Sequence, residues 1–477
     1  MTKILLVALP MLRYRQPLLG LGYIGASLVQ KGHEVSLYTV GNDVESDEGF
    51  DALVRRFKPD YMGVSILTAQ YADAVKIIER AKKMAPEMIT VAGGPHVSAL
   101  AEHTLTSIPQ LDYVIRGEGE HAFCDLIEAR AVNGSLEKVS GLAYRVTGSV
   151  RINATVCIEA IDDLPYPWKV IEPLSYNTRE LHGYTCRHRP VVAVLSSRGC
   201  PYLCTFCAQQ TVFGHGIRVR NPVKFVDELE YLHRQHGIRE FHFADDNFTF
   251  YPDHARAVCE EIIARKLTVS WALINGIRAD RVDEPLLRLM KKAGCYYTAF
   301  GLESGSVATL KQYKKSLDVN KVYDTVKIAN KLGYITQGFF LIAPPFETEQ
   351  DLAATLSLIR ALPLDRIAIG VPIPYPGTEL FSYYQAKGFL TDLSAIHWED
   401  FAWGKFPYFW EHLSAEKVES TLRTAMKIVY ADPVRMMKFM LKLRTIEQYR
   451  ITFAGFYEWM VHVVGKIGAL HEKDTAR

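Results

Sequence analysis

Cys200, Cys204 and Cys207 lie in Ser197-Arg198-Gly199-Cys200-Pro201-Tyr202-Leu203-Cys204-Thr205-Phe206-Cys207, directly behind the apolar run Val191 to Leu195. Three thiols at this spacing, emerging from a buried strand, can face one point. Three thiolates can hold three irons of a [4Fe–4S] cube and leave the fourth iron open to another molecule. Zinc is the rival metal, but a structural zinc site wants four protein ligands, and His215 is the nearest further candidate. Three coincidental core cysteines fit poorly with polar Thr205 and a Gly/Pro-rich turn.

Two alternating series of strand and helix signals position these residues. In the first, Ile4 to Ala8, His33 to Val40, Tyr61 to Leu67, Ile89 to Ala92 and Tyr113 to Ile115 read as strands, with helices over Leu18 to Lys31 and Ala69 to Met84. In the second the strand candidates are Val191 to Ser196, Glu240 to Ala244, Ser270 to Ile274, Tyr296 to Phe300, Ile335 to Ile342 and Arg366 to Val371. Such alternation implies parallel sheets covered by helices, with ligands at the carboxyl ends of the strands. The fold class is therefore α/β: a flavodoxin-like (Rossmann-type) domain over residues 1–140, a linker over 141–190, a partial (β/α)6 barrel over 191–385, and a mainly helical extension over 386–477.

The chain has 477 residues, of which 48% are hydrophobic and 23% charged, a soluble globular composition. Lys plus Arg number 55 against 53 Asp plus Glu, which gives no electrostatic argument for nucleic acid. The start runs straight into a strand pattern without a signal-peptide cleavage region. Eight cysteines without a secretion signal point to a reducing cytoplasm, where clustered cysteines bind metal. Ile451 to Leu470 is apolar but interrupted by Glu458, His462 and Lys466. It reads as a buried or interfacial helix rather than a span, which leaves peripheral membrane contact open.

The C-x3-C-x2-C spacing behind a strand resembles the radical S-adenosylmethionine (SAM) superfamily. That resemblance implies that SAM chelates the open iron and that its one-electron cleavage gives a 5′-deoxyadenosyl radical. It places Phe206 beside adenine, and a plain packing aromatic is the alternative. In Ala244-Asp245-Asp246-Asn247-Phe248, Asp245 and Asp246 would meet the ammonium of SAM or simply cap a helix. In Phe300-Gly301-Leu302-Glu303-Ser304-Gly305, Glu303 and Ser304 would meet ribose or carboxylate; Glu303 could instead neutralise Arg278. Related enzymes carry Gly-x-Pro-Gly-Glu-Thr after the fifth strand, whereas this chain has Ala343-Pro344-Pro345-Phe346-Glu347-Thr348. Phe346 replaces a permissive glycine, so a different local conformation is expected.

Gly20-Leu21-Gly22-Tyr23-Ile24-Gly25 spells GxGxxG, but about ten residues separate it from the strand and no acid ends the second strand, so a dinucleotide site fails on context. With Gly32-His33-Glu34-Val35, Gly93-Gly94-Pro95-His96 and Asp112 to Glu120, the first domain is similar to the cobalamin-binding domain of cobalamin-dependent radical SAM enzymes. The resemblance covers residues 1–385 and implies cobalamin contacts at Gly20, Gly22, Ser65, Thr68, Gly93, Gly94, Pro95, His96, Gly117, Glu118 and Gly119. The alternative is that the glycines are turns of an unliganded domain. Asp-x-His-x-x-Gly is absent, so no histidine is expected under cobalt.

The family resemblance implies a methyltransferase moving methyl from methylcobalamin to an unactivated carbon, or to phosphorus, after hydrogen abstraction by the adenosyl radical. It equally admits a non-methylating cyclase like the anaerobic porphyrin-ester cyclases. A non-catalytic corrinoid binder is a third possibility, against which the open-iron motif argues. The implied partners are a small molecule, apolar if lipid or tetrapyrrole, and a flavodoxin- or ferredoxin-type electron donor. Tyr408, Phe409, Trp410, Phe453, Phe456, Tyr457 and Trp459 could wall such a substrate or form ordinary helical core. Cys124, Cys157, Cys186, Cys259 and Cys295 read as structural, with Cys186 and Cys295 nearest the barrel mouth.

Overall fold

The computed structural model describes residues 1–9, 18–41, 44, 46–176, 186–402 and 404–464. The chain divides into two units. One holds Met1–Ser175, Phe206–Gly216 and Pro374–Phe401; the other holds Tyr176–Thr205, Ile217–Ile373 and the chain from Ala402 onward. The boundary falls inside the cysteine run, so Cys200 and Cys204 belong to the second unit and Cys207 to the first.

In the first unit the strands are β1 (Lys3–Ala8), β2 (Glu34–Thr39), β3 (Tyr61–Ser65), β4 (Ile89–Gly93), β5 (Tyr113–Ile115), β6 (Leu142–Val146) and β7 (Ser149–Ile152), in the order β2-β1-β3-β4-β5-β6-β7. The first five are parallel, which is the flavodoxin order with its topological switch between β1 and β3. Lys-Ile-Leu-Leu-Val-Ala in β1 is buried almost throughout, as a parallel strand covered on both faces must be. The sheet is two strands wider than the apolar periodicity predicts. The hairpin β6–β7 adds antiparallel strands to its edge, turning at Gly148 with φ +77°. Its outer strand is largely exposed, so it lacks the apolar run that marks a buried strand.

In the second unit the strands are β8 (Val191–Val194), β9 (Ser197–Arg198), β10 (Arg218–Val219), β11 (Glu240–Phe243), β12 (Ser270–Ile277), β13 (Cys295–Glu303), β14 (Ile335–Leu341) and β15 (Arg366–Gly370). Six form a parallel sheet in the order β15-β14-β13-β12-β11-β8, and its end strands β8 and β15 do not pair with each other. That is the partial barrel expected from the second alternating series. Its helices carry local start and stop signals. Asn221 accepts from Val223 N–H at 2.9 Å ahead of the helix Pro222–His236, and Gly237 ends it at φ +67°. Inside, Ala272, Ile274, Tyr296, Tyr297 and Ile335 pack with Phe439 of the helix Pro433–Met440 and with Leu443 just after it. The apolar tail thus closes part of the core that six strands leave open.

Among the described residues no helix is long and apolar enough to cross a membrane. Residues 465–477, and the side chains of Phe456 and Trp459, lie outside the described residues.

Candidate functional site

The cysteine loop is held by carboxylates from the loop after β11. Asp245 accepts from Ser196 N–H at 3.1 Å, Ser196 Oγ at 2.7 Å and Ser197 Oγ at 2.6 Å. Asp246 accepts from Gly199 N–H at 3.1 Å. Both aspartates therefore brace the residues just ahead of Cys200. Burial raises both carboxyls, that of Asp246 to about 6. Asp245 is almost fully buried and bonded to these serines, which gives it a bracing role.

Cys200 and Cys204 are free thiols on this loop, and burial raises both, opposed at Cys204 first by the Lys315 ammonium. The Tyr202 N–H and the Asn247 side chain lower the Cys200 thiol against that burial. Asn247 Oδ1 is buried without a hydrogen-bond partner, an acceptor suited to an ammonium beside the loop. Phe206 and Cys207 are half-buried. Among the described residues no three His, Cys, Asp or Glu side chains converge as they would on one metal ion. A cube does not ask for that convergence, because each thiolate binds a separate iron. Free thiols, sulfur-directed donors and neighbouring cations fit such a group.

Around the same strand ends, Glu303 closes β13 in a left-handed conformation, φ +59°, at a register shift between β13 and β14. It pairs with Lys315. Arg278, the partner weighed for it on sequence, instead holds Asp280. Ser304 is fully buried and its hydroxyl meets Thr355 Oγ1 at 3.0 Å, which scaffolds the loop. In the divergent loop after β14, Phe346 avoids the left-handed region and Ala343 takes it instead, φ +55°. Ala343 N–H and Thr309 Oγ1 donate to the buried Glu347, and the Phe346 ring lies edge-on to Tyr313 at 6.0 Å.

Two further residues, Asn275 and Lys315, escaped the motif search. Asn275 is exposed on a bulge of β12 beside Gly276, φ +88°, and donates to the Ala244 carbonyl at 2.7 Å. The Asn-Gly pair inside a strand pattern is the signal that could have found it. Lys315 gave no such signal, because a lone cation on a loop has no pattern.

The tail aromatics divide. Tyr408, Phe409 and Trp410 are buried; Trp410 Nε1 donates to the Ala343 carbonyl at 2.8 Å and Tyr408 to the Val371 carbonyl at 3.3 Å. They clamp the loops after β14 and β15. Phe453 and Tyr457 are exposed and form neither wall nor core. Cys295 begins β13 and Cys186 lies near Glu240, which begins β11. Both therefore sit at the amino ends of the strands, away from the barrel mouth, and burial pushes their thiols up to about 12.

In the first unit, Ser65, Thr68 and Gly93 gather at the carboxyl ends of β3 and β4, beside the switch point where such sheets bind ligands. A Cβ at Gly94, φ +100°, would lie 2.9 Å from Ile66 N and O, whereas one at Gly93 meets only Ile115 O at 3.7 Å. Gly93 thus leaves backbone open to a ligand, and Gly94 makes the tight turn. Pro95 is half-buried and starts a short helix. His96 is buried against Tyr71 and Trp398, ring centroids 4.9 and 4.8 Å away. Its Nδ1 is 3.4 Å from Thr68 Oγ1, its Nε2 has no partner, and burial holds it neutral, with a pKa of about 3.

Gly117 N–H donates to Ser98 Oγ at 3.0 Å, and Glu118 accepts from Ile158 N–H at 2.9 Å. Gly20 faces open space, but a Cβ at Gly22 would meet Ile171 Cδ1 at 2.3 Å, and one at Gly119 would meet Ile24 Cδ1 at 2.8 Å. Gly22 and Gly119 are accordingly glycines of close packing.

Comparison with known proteins accounts for both units. The family model of the B12 binding domain matches residues 8–127, and that of the radical SAM superfamily matches residues 194–359. An uncharacterized methyltransferase of Pyrococcus horikoshii is 30% identical over 423 residues, 88% of this chain and 89% of that protein. The cytidylyl-2-hydroxyethylphosphonate methyltransferase of Streptomyces wedmorensis is 30% identical over 433 residues, 80% of each chain. Among solved structures, the radical SAM methyltransferase TsrM of Kitasatospora setae shares the fold, with a TM-score of 0.74 at 17% identity over 97% of this chain and 100% of that one. With a flavodoxin-order sheet under the first match and an open six-stranded barrel with its cysteine loop under the second, the chain belongs to the cobalamin-dependent radical SAM enzymes.

Proposed function

We propose that the protein is a radical SAM methyltransferase that moves a methyl group from methylcobalamin to an unactivated carbon, or to phosphorus, of a small molecule. The observation that carries this reading is the cysteine loop at the end of β8, braced by Asp245 and Asp246, in a chain whose other sheet has the order and open strand ends of a B12 domain. We assign residues 1–140 to cobalamin, 191–385 to SAM and its cluster, and 386–477 to the helical extension.

Cys200, Cys204 and Cys207 would hold the cluster. When bound, the cluster and SAM supply an adenosyl radical that takes hydrogen from substrate, and the corrinoid supplies the methyl group. The chain's own residues do the rest. Asp246 fixes the start of the cysteine loop, and Asn247 Oδ1 and Asn275 offer polar atoms to the amino acid end of SAM. Phe206 offers a face for adenine and Glu303 a carboxylate for ribose. Ser65, Thr68, Gly93, Gly94, Pro95, Gly117 and Glu118 would line the corrinoid side, where His96 is packed between Tyr71 and Trp398. Tyr408 and Trp410 hold the loops after β14 and β15 in place. The electron comes from a cytoplasmic flavodoxin- or ferredoxin-type donor. An apolar substrate and peripheral contact of the exposed Met437, Leu441, Phe453 and Tyr457 with a membrane complete the reading.

Anaerobic reconstitution with iron, sulfide and cobalamin, followed by mass spectrometry with candidate substrates, tests it. The expected result is a product heavier by one methylene, with S-adenosylhomocysteine and 5′-deoxyadenosine formed together. Turnover yielding 5′-deoxyadenosine without methyl gain overturns methyl transfer in favour of a cyclase.

A further inference from the structure

Two buried cations stand beside the cysteine loop, and the reading above uses neither. A Cβ on Gly301 would lie 2.7 Å from Lys315 Nζ and 3.0 Å from Glu303 Oε1, so the glycine is the gap that admits this ion pair. Thr205, next to Cys204, donates its N–H to the Tyr313 carbonyl at 3.2 Å, which ties the loop two residues from Lys315. On the other side the Arg278 guanidinium lies 4.2 Å over the ring of Tyr202, which sits between Cys200 and Cys204 in the chain. Arg278 also donates to the carbonyl of Ser316, adjacent to Lys315. Its Nε and Nη2 hold Asp280 at 3.0 and 2.7 Å, whereas Nη1 is buried with no acceptor.

Stability does not account for this arrangement, since a buried ion pair is often matched by apolar residues of similar volume.

We propose that the Lys315–Glu303 pair, with Arg278 behind it, sets the reduction potential of the cluster on Cys200, Cys204 and Cys207, an inference that rests on the cluster assignment. One-electron reduction adds one negative charge to a thiolate-bound cluster, and the electron comes from an external reductant. A nearby ammonium stabilises the added charge and a nearby carboxylate opposes it. Lys315, Glu303 and Arg278 are thus positioning residues that act through charge.

The test is a redox titration of the reconstituted full chain with dithionite, followed by electron paramagnetic resonance, without SAM or substrate. Lys315→Met makes reduction about tenfold less favourable, which is about 59 mV for one electron. Glu303→Gln shifts the equilibrium the other way, and the double variant returns close to the wild type. Arg278→Gln moves in the direction of Lys315→Met. A merely structural role would lower cluster loading or melting temperature without shifts of opposite sign. Equal potentials in Lys315→Met and Glu303→Gln at full loading overturn the proposal. Should Lys315→Met fail to fold, the opposite shifts of Glu303→Gln and Arg278→Gln carry the test, and unchanged potentials in both overturn it equally. If the wild type takes up no iron and sulfide, the cluster assignment itself falls, a result distinct from a loaded cluster that ignores these charges.

Discussion

Glu347 accepts hydrogen bonds from Ala343 N–H, Thr309 Oγ1 and Ser304 Oγ, yet burial outweighs them and holds its carboxyl at about 7. The folded chain then keeps a proton that the unfolded chain releases between the ordinary value of 4.5 and about 7. Its contribution to stability is full below that window and is lost as pH rises through it. Glu347→Gln, isosteric and uncharged, should flatten this part of the melting temperature against pH; an unchanged slope would show that another group is responsible. The same residue explains how the loop tolerates Phe346. Glu347 bonds the backbone N–H of Ala343, so the left-handed residue is Ala343 and the phenylalanine is free to pack on Tyr313. The sequence carries the substitution but not which residue absorbs the turn.

At the scale of elements, the helix Leu19–Gln30 shows how one motif can serve another purpose. Its GxGxxG spelling lies within the helix, and Gly22 faces Pro167 and Ile171 at distances no side chain could share. Gly22→Ala should cost about 1–3 kcal/mol by overpacking, read as a lower midpoint in chemical denaturation. If the variant keeps wild-type stability, close packing is not why glycine stands there. The bulge that exposes Asn275 is the converse case, a local irregularity that aims one side chain at the carboxyl edge of the sheet. The β6–β7 hairpin is a third. Its alternation is short and exposed, so it reads as linker until pairing with β5 makes it strand.

For the whole molecule, family models that match separate stretches of the chain imply two separable binding functions. Cys204→Ala should lose iron and sulfide while still binding cobalamin, measured by metal analysis and by corrinoid absorbance on the purified variant. Simultaneous loss of both from a folded protein would contradict that separation. The two alternating series were plain in the sequence because strand runs of Val, Ile and Leu separated by amphipathic helices are signals of adjacent residues. Membership of Phe206–Gly216 and Pro374–Phe401 in the first unit was not, because contacts between segments far apart leave no mark on local periodicity.

The sequence by itself determined the cysteine spacing, both parallel sheets and the family, since each depends on residue types at short fixed separations. Only the tertiary structure decided that Asp245 and Ser304 are braces, that Gly22 is a packing residue, and that Glu303 pairs with Lys315 rather than Arg278. It also decided that Trp398 buries His96. The physical reason is common to all of these. A buried polar or charged group must find a partner, and which partner it finds is fixed by distances that the fold creates across tens or hundreds of residues.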